Sequence, residues 1–202
     1  MRVLTLSNKK LIEASQTLLT HIQKEHPDID MLLGIATGGI YVSQAMYQQL
    51  KQTQWRGYYS EIKLSRPSTE KKESLGVKKI LTKLPYFLSN LLRILEVKYF
   101  EFRKTDAYDK SIENRIHFSS EQKAHIIKAK TLLLIDDAID TGSTMLALKN
   151  TIKAINPNVK VITAVLTVTH KKPYVTPDFT HYNRVLLRCP WAMDYKGGDN
   201  LA

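Results

Sequence analysis

The run Thr131–Met145, TLLLIDDAIDTGSTM, constrains the fold more than any other stretch of the chain. Leu132 to Ile135 holds no polar side chain, so Thr131–Ile135 predicts a buried strand. Two adjacent carboxylates, Asp136 and Asp137, stand at its carboxyl end. A third, Asp140, leads into the small hydroxylated turn Thr141-Gly142-Ser143-Thr144. From Met145 to Ile155 the apolar residues Leu146, Leu148, Ile152 and Ile155 take helical spacing. The order is therefore strand, acidic loop, polar turn, helix.

In an open α/β sheet, ligands collect beyond the carboxyl ends of the strands. A helix start offers backbone N–H groups and the positive end of the helix dipole, which suit a phosphate. Gly142 lets the backbone approach a ligand, and Thr141, Ser143 and Thr144 add hydroxyl donors. Paired carboxylates would repel a phosphate, but they suit vicinal hydroxyls or a divalent cation. A loop with both ends so equipped is built for a sugar phosphate. The plainer alternative is an ordinary strand-to-helix turn capped by Asp140 or Thr141, and the density of acids and hydroxyls argues against it.

Leu132–Thr144 resembles the phosphoribosyl pyrophosphate (PRPP) signature of type I phosphoribosyltransferases: four apolar residues, two acids, a short mostly apolar step, then Asp-Thr-Gly and two small or hydroxylated positions. The resemblance implies that Asp136 and Asp137 hold the ribose hydroxyls of PRPP. It implies that Asp140, Thr141, Gly142, Ser143 and Thr144 hold its 5'-phosphate, and that Asp140 is the general acid/base. A second strand–turn–helix unit precedes this one. Met31–Ala36 predicts a buried strand, Thr37-Gly38-Gly39 a turn, and Tyr41–Leu50 a helix. GIATGGI resembles the pyrophosphate loop of the same family, which assigns Thr37, Gly38 and Gly39 to pyrophosphate. Many members carry a basic residue where Thr37 stands. Here backbone donors and the Thr37 hydroxyl would make the contact, helped by basic groups elsewhere.

Those groups fall in the next stretch. Between Lys63 and Lys83 seven basic residues face two acids. The family places a mobile loop near this point, closing over the reaction centre, and Arg66, Lys71 and Lys72 would meet pyrophosphate there. Leu75–Phe102 follows with a wide apolar helical face: Ile80, Leu84, Phe87, Leu88, Leu91, Leu92 and Leu95. Pro85 kinks this segment or marks the first turn of a shorter helix. The expected role is to cover one side of the sheet or to seal a dimer. A membrane-surface helix is the sharper alternative, and Asn90 and Arg93 argue against a span. Ser119-Ser120-Glu121-Gln122 reads as a helix start.

After the signature helix, Val159–Val168 is β-rich and His170-Lys171-Lys172-Pro173 follows it. A last strand is expected over Arg184–Leu187, then Trp191 and Asp194. The tail resembles the base-binding hood of purine members. By that resemblance Lys171 reads a purine carbonyl, with His170 and Lys172 the alternatives the spacing leaves open, Trp191 lies at the base, and Asp194 joins Asp136 in holding Mg²⁺ with pyrophosphate. The residues alone favour a packed ring at Trp191 over one that stacks on a base. The family usually has a stacking aromatic on the last strand, where this chain has Leu186 and Leu187.

Length completes the expectation: 202 residues suit one α/β domain of type I phosphoribosyltransferase fold, a mostly parallel sheet flanked by helices. Residues 65–128 would form a flexible loop and helical insertion, and 169–202 a small hood. The single cysteine, Cys189, cannot form an internal disulfide, which fits a reducing, cytoplasmic setting. No secretory leader or membrane-spanning run is read. The formal charge of +11 suits a polyanionic substrate, and suits nucleic acid as well. The function expected from the resemblance is Mg²⁺-dependent phosphoribosyl transfer from PRPP to a purine-like base by a homodimer. The alternative is a PRPP-sensing regulator that binds nucleic acid or a protein partner without turnover.

Overall fold

The computed structural model describes residues 1–64, 84–102, 108 and 110–197. Arg66, Lys71 and Lys72 lie outside the described residues, as do the other basic groups between Arg66 and Lys83. Seven strands are described: β1 (Arg2–Thr5), β2 (Met31–Ile35), β3 (Tyr58–Ile62), β4 (Thr131–Ile139), β5 (Lys160–Val168), β6 (Phe179–Asn183) and β7 (Val185–Arg188). The α-helices are α1 (Asn8–Glu25), α2 (Gly38–Lys51), α3 (Tyr86–Phe102), α4 (Ser120–Lys128) and α5 (Ser143–Ile155). A short 3-10 turn spans Lys110–Arg115.

Five strands make one parallel sheet in the order β3-β2-β4-β5-β6. The signature strand β4 is central, with Met31 opposite Leu132 on one side and Thr131 opposite Lys160 on the other. Its side chains alternate between two cores, as the two-residue period of a strand requires. Leu132 and Leu134 pack with Ile126 of α4 and Leu148 and Ile152 of α5. Leu133 and Ile135 pack with Leu18 and Ile22 of α1 and Val42 and Met46 of α2. Both faces are covered, so β4 reads as one apolar run rather than an alternating one.

Local chemistry sets the helix starts. Ser7 accepts a hydrogen bond from the Lys10 amide and begins α1. Ser119 and Gln122 exchange side-chain and backbone bonds in a full capping box at α4. The helix of the insertion begins just after Pro85, the shorter of the two forms the sequence allowed.

Two expectations need correcting. The signature strand does not stop at Ile135. It continues through both acids to Ile139, with Asp136 opposite Val165 and Ile139 opposite Val168, because β5 is long enough to pair with all of it. The last strand, β7, is not in the main sheet: it pairs in parallel with β1, Arg2 opposite Val185. The edge position is taken by β6, which pairs in parallel with β5. Arg184 turns the chain between the two, with φ of 57°.

Candidate active site

Three turns meet at the carboxyl ends of β2, β4 and β5. The first is the start of α2, where Thr37 stands at the N-cap without a side-chain cap bond. Gly38 and Gly39 press this helix start onto β4. A Cβ on Gly38 would lie 2.2 Å from the Asp137 carboxyl carbon, and one on Gly39 would lie 2.7 Å from the Asp136 Cα. Only glycine permits that approach, so the Gly-Gly turn and the acid pair form one surface. Asp136 is buried and its Oδ1 accepts the Asp137 amide at 2.8 Å, which fixes the pair relative to the strand end.

The second turn runs from Asp140 to Thr144. Gly142 caps α5 with φ of 82°, a left-handed conformation that a side chain would strain. Gly142 has no side chain to cap this helix start; the Ser143 amide donates to the Thr141 hydroxyl at 3.4 Å, and the other first N–H groups lack intrahelical acceptors by geometry. The hydroxyls of Thr141 and Ser143 lie 3.0 Å apart beside them. The Tyr174 amide donates to the Thr141 carbonyl at 2.7 Å and ties the turn to the loop after β5. The result is a cup of amide and hydroxyl donors, the composition an oxyanion requires.

The third turn follows β5 and contains a residue that sequence reasoning missed. Thr169 is buried and donates its hydroxyl to Asp140 Oδ1 at 2.5 Å, which aims an otherwise exposed carboxylate. The Thr169 carbonyl accepts from Arg184 Nη1, and the same nitrogen pairs with Glu101 Oε1 at 2.5 Å. Glu101 also accepts the Lys171 amide at 3.2 Å. The Arg184 hydrogen bond holds the Glu101 carboxyl below its ordinary range, against a smaller opposing effect of burial. One relay thus joins the end of α3, the Lys171 loop and Asp140. Thr169 was findable from position, since it ends the strand beside the signature strand. Glu101 and Arg184 carry no local motif.

The remaining expected residues separate from this group or change role. Lys171 is exposed on the loop after β5. Trp191 stacks on Tyr41 of α2, centroids 4.7 Å apart and planes 11° off parallel, and packs against the core between the sheet and α1–α2. Asp194, expected at a metal, is 3% exposed, and both its oxygens are engaged. Arg93 of α3 binds it through two nitrogens and Arg188 of β7 through Nε at 2.9 Å. Burial works against its charge, but the two guanidinium groups prevail and hold its pKa down to about 2. Its physical role is to neutralise two inward-pointing arginines, so it is not placed to ligate a cation.

Among the described residues no group of three or more His, Cys, Asp and Glu side chains forms a metal cluster. The Asp136–Asp137 pair still offers oxygen ligands at a strand end. This is the donor type a hard divalent cation takes when a substrate supplies the rest. A groove of about 500 Å³ at the opposite, amino ends of the strands is lined by Asp28, Trp55, Arg56 and His125. Its acids are already occupied, Asp28 by the Thr131 hydroxyl and Asp30 by the amides of Lys130 and Thr131.

The sequence profile of the phosphoribosyl transferase domain matches residues 80–192, more than half of the chain. The chain belongs to that family, and its parallel sheet is the type I phosphoribosyltransferase fold. It is accordingly a phosphoribosyltransferase enzyme. No curated protein matches by sequence. Solved structures share the fold at low identity. A purine phosphoribosyltransferase from Pyrococcus horikoshii aligns at 14% identity and TM-score 0.57, over 99% of this chain and 100% of its own. The Helicobacter pylori xanthine-guanine-hypoxanthine phosphoribosyltransferase aligns at 10% and 0.51, over 91% and 90%. A Trypanosoma cruzi hypoxanthine phosphoribosyltransferase, in complex with the product IMP, aligns at 12% and 0.53, over 88% and 77%. No described helix is long and apolar enough to cross a membrane.

Proposed function

We propose that the enzyme transfers the phosphoribosyl group of PRPP to a ring nitrogen of a purine-like base and releases pyrophosphate. The observation that carries this reading is the convergence just described. The Gly38–Gly39 helix start lies against Asp136 and Asp137, and the Asp140–Thr144 cup follows on the same strand. The three parts of PRPP call for these three surfaces in this order. The names of the structural neighbours support a purine as acceptor.

The 5'-phosphate would sit in the Thr141–Thr144 cup, held by amides, hydroxyls and the α5 dipole. The ribose hydroxyls would donate to Asp136 and Asp137. Pyrophosphate would face the amides of Gly38 and Gly39 and the Thr37 hydroxyl. In the reaction the bond from C1 to the pyrophosphate oxygen breaks and a bond from C1 to the base nitrogen forms. The electron pair leaves with pyrophosphate, and the proton of the base nitrogen passes to Asp140. Thr169 keeps that carboxylate oriented, which raises the fraction of encounters in which it meets the proton. Acidic groups beside the ribose also favour the positive charge that develops on its ring. Mg²⁺, when bound, would neutralise charge on pyrophosphate, and Asp136 and Asp137 are the carboxylates that fit it. Lys171 would meet the base carbonyl, and the half-buried Trp191 would bound the base end of the site.

The test is pyrophosphate release from PRPP with Mg²⁺ and a panel of hypoxanthine, guanine, xanthine, adenine, orotate and uracil. Release with one or more purines supports the reading and names the acceptor. Release with orotate or uracil alone would reject the purine assignment, and release with none of the panel would reject the acceptor class.

A further inference from the structure

Arg184 is held in a conformation that costs an arginine more than it would cost glycine or asparagine. It lies between β6 and β7 with φ of 57°, and among the described residues no other non-glycine has a positive φ. Its amide donates to the Val168 carbonyl at 3.1 Å. Its side chain folds back over the residue after β5, where Nη1 donates to the Thr169 carbonyl and to Glu101 Oε1. Those two acceptors use both N–H groups of Nη1. A guanidinium carries five N–H groups. The remaining ones, on Nε and Nη2, meet no acceptor among the described residues, and the side chain stays 31% exposed. The group is therefore fixed through one nitrogen and has donors to spare.

Its neighbours are the acceptor end of the site. Thr169 gives its hydroxyl to Asp140 and its carbonyl to Arg184, so a single residue separates the carboxylate from the guanidinium. Glu101 Oε1 accepts from Arg184 and from the Lys171 amide, so the guanidinium also borders the Lys171 loop. Asp140 and Lys171 are the groups that meet the base in the proposed reaction.

We propose that Arg184 determines acceptor specificity by donating, through its unused N–H groups, to an exocyclic carbonyl oxygen of the base. The proposal rests on the transferase reading and names the acceptor as an oxopurine. In a 6-oxopurine the carbonyl lies next to the five-membered ring. A base that gives its ring proton to Asp140 brings that oxygen within reach of a donor one residue away. Adenine has an amino donor at the same place, which would face the guanidinium and leave both unpaired. A guanidinium has no acceptor atom and stays charged at any working pH, so it discriminates in this direction only. A carbonyl oxygen has two lone pairs, which lets Lys171 share it. Lys171 is exposed on its loop, whereas Arg184 is tied down at Val168, Thr169 and Glu101 and is the preorganised donor of the two. Glu101 then positions the group that touches the base.

The experiment measures kcat/KM for pyrophosphate release from PRPP and Mg²⁺ with hypoxanthine, with adenine and with unsubstituted purine, which lacks the oxygen. The native chain is compared with Arg184→Gln and Arg184→Lys, and PRPP affinity and melting temperature are followed in each. The native chain should prefer hypoxanthine to adenine at least about 100-fold. Arg184→Gln should shrink the preference for hypoxanthine over purine about 10-fold or more, the loss expected for one charge-assisted hydrogen bond, with PRPP affinity unchanged. Arg184→Lys keeps the charge without the fork and should fall between the two. It also carries the test if Arg184→Gln lowers the melting temperature. A purely structural role would lower kcat/KM for hypoxanthine and purine alike and leave their ratio where it was. An unchanged ratio in both variants overturns the proposal, as does a native chain that uses adenine as well as hypoxanthine. In either case the transferase reading stands. Release with no base at all overturns both together.

Discussion

Two amphipathic helices of this chain carry similar apolar spacing and end in opposite orientations. Helix α5 buries Met145, Ala147, Leu148 and Ile152 against the sheet, and leaves its amino end free to form the cup at Thr141–Thr144. Helix α3 turns Ser89, Asn90 and Arg93 inward and Phe87, Leu91 and Leu95 outward. The difference lies in what each helix meets. The strand preceding α5 delivers it to an apolar sheet face. The insertion delivers α3 to the small β1–β7 sheet, where the buried Arg188 needs acceptors and a counter-ion. Amphipathic spacing states that one face needs cover, and says nothing of whether this chain supplies it.

The sharpest way to break the comparison is to remove the chemistry that the α5 unit supports. Asp136→Asn with Asp137→Asn should weaken PRPP binding at least about 100-fold, since two charge-assisted contacts are lost together. Titration calorimetry measures the affinity, and an unchanged melting temperature shows that the strand end still folds. Retained affinity would detach the acid pair from the ribose.

The counterpart on α3 concerns stability. Asp194→Ala strands the buried Arg188 and should destabilise the fold by about 3–5 kcal/mol in urea unfolding, the range for breaking a buried ion pair. The same pair has a pH signature. The Asp194 carboxyl titrates near 2 in the folded chain against 3.8 when unperturbed. Its contribution is therefore complete above about pH 4 and fades as pH falls toward 2. Asp194→Asn should flatten the stability profile across that window. A native profile already flat there would mean that the arginines find other partners.

A smaller effect is expected where the two turns touch. Gly38→Ala puts a methyl group within 2.2 Å of the Asp137 carboxyl carbon, so the carboxylate must shift. PRPP affinity should drop roughly 10-fold, with the base KM less affected, because the displaced group faces ribose and pyrophosphate rather than the acceptor. Equal losses for both substrates would show that the whole helix start has moved.

These outcomes also bear on how much of the molecule could be read from sequence. The β4 run, the Gly-Gly turn and the Ser119–Gln122 box were legible because each is local: the residues that make the feature are also its pattern. The continuation of β4 to Ile139 was not, since it depends on the length of β5. Strand β6 was hidden because FTHYN lacks apolar/polar alternation, with Thr180, His181 and Asn183 polar, and pairs on one side only. The pairing of Asp194 with arginines was not legible for a related reason. Its partner Arg93 lies 101 positions away, and an isolated late acid looks the same whether it meets a cation or a guanidinium. The orientation of α3 was not legible for the same reason, since the groups that draw Asn90 and Arg93 inward, Arg188 and Asp194, lie 98 and 101 positions away.

Glu101 is where the two regions meet, and it gives the subtlest test. It sits on α3, pairs with Arg184, and accepts the Lys171 amide, while Arg184 holds the Thr169 carbonyl next to Asp140. It touches no substrate in the proposed arrangement, so it acts as a positioning residue. Glu101→Gln keeps the shape and removes the charge that anchors Arg184. The pair is partly exposed and its direct contribution to stability is small. The consequence should appear instead in how well the Lys171 loop and Asp140 are held. We expect kcat to fall roughly 3- to 10-fold and the base KM to rise, with PRPP affinity unchanged. Glu121→Gln, on the exposed start of α4, serves as the control for loss of one negative charge. If Glu101→Gln behaves like that control, α3 is attached to the site without influencing it. If kcat and base KM move together, the helix that carries the outward apolar row also sets the acceptor end of the active site.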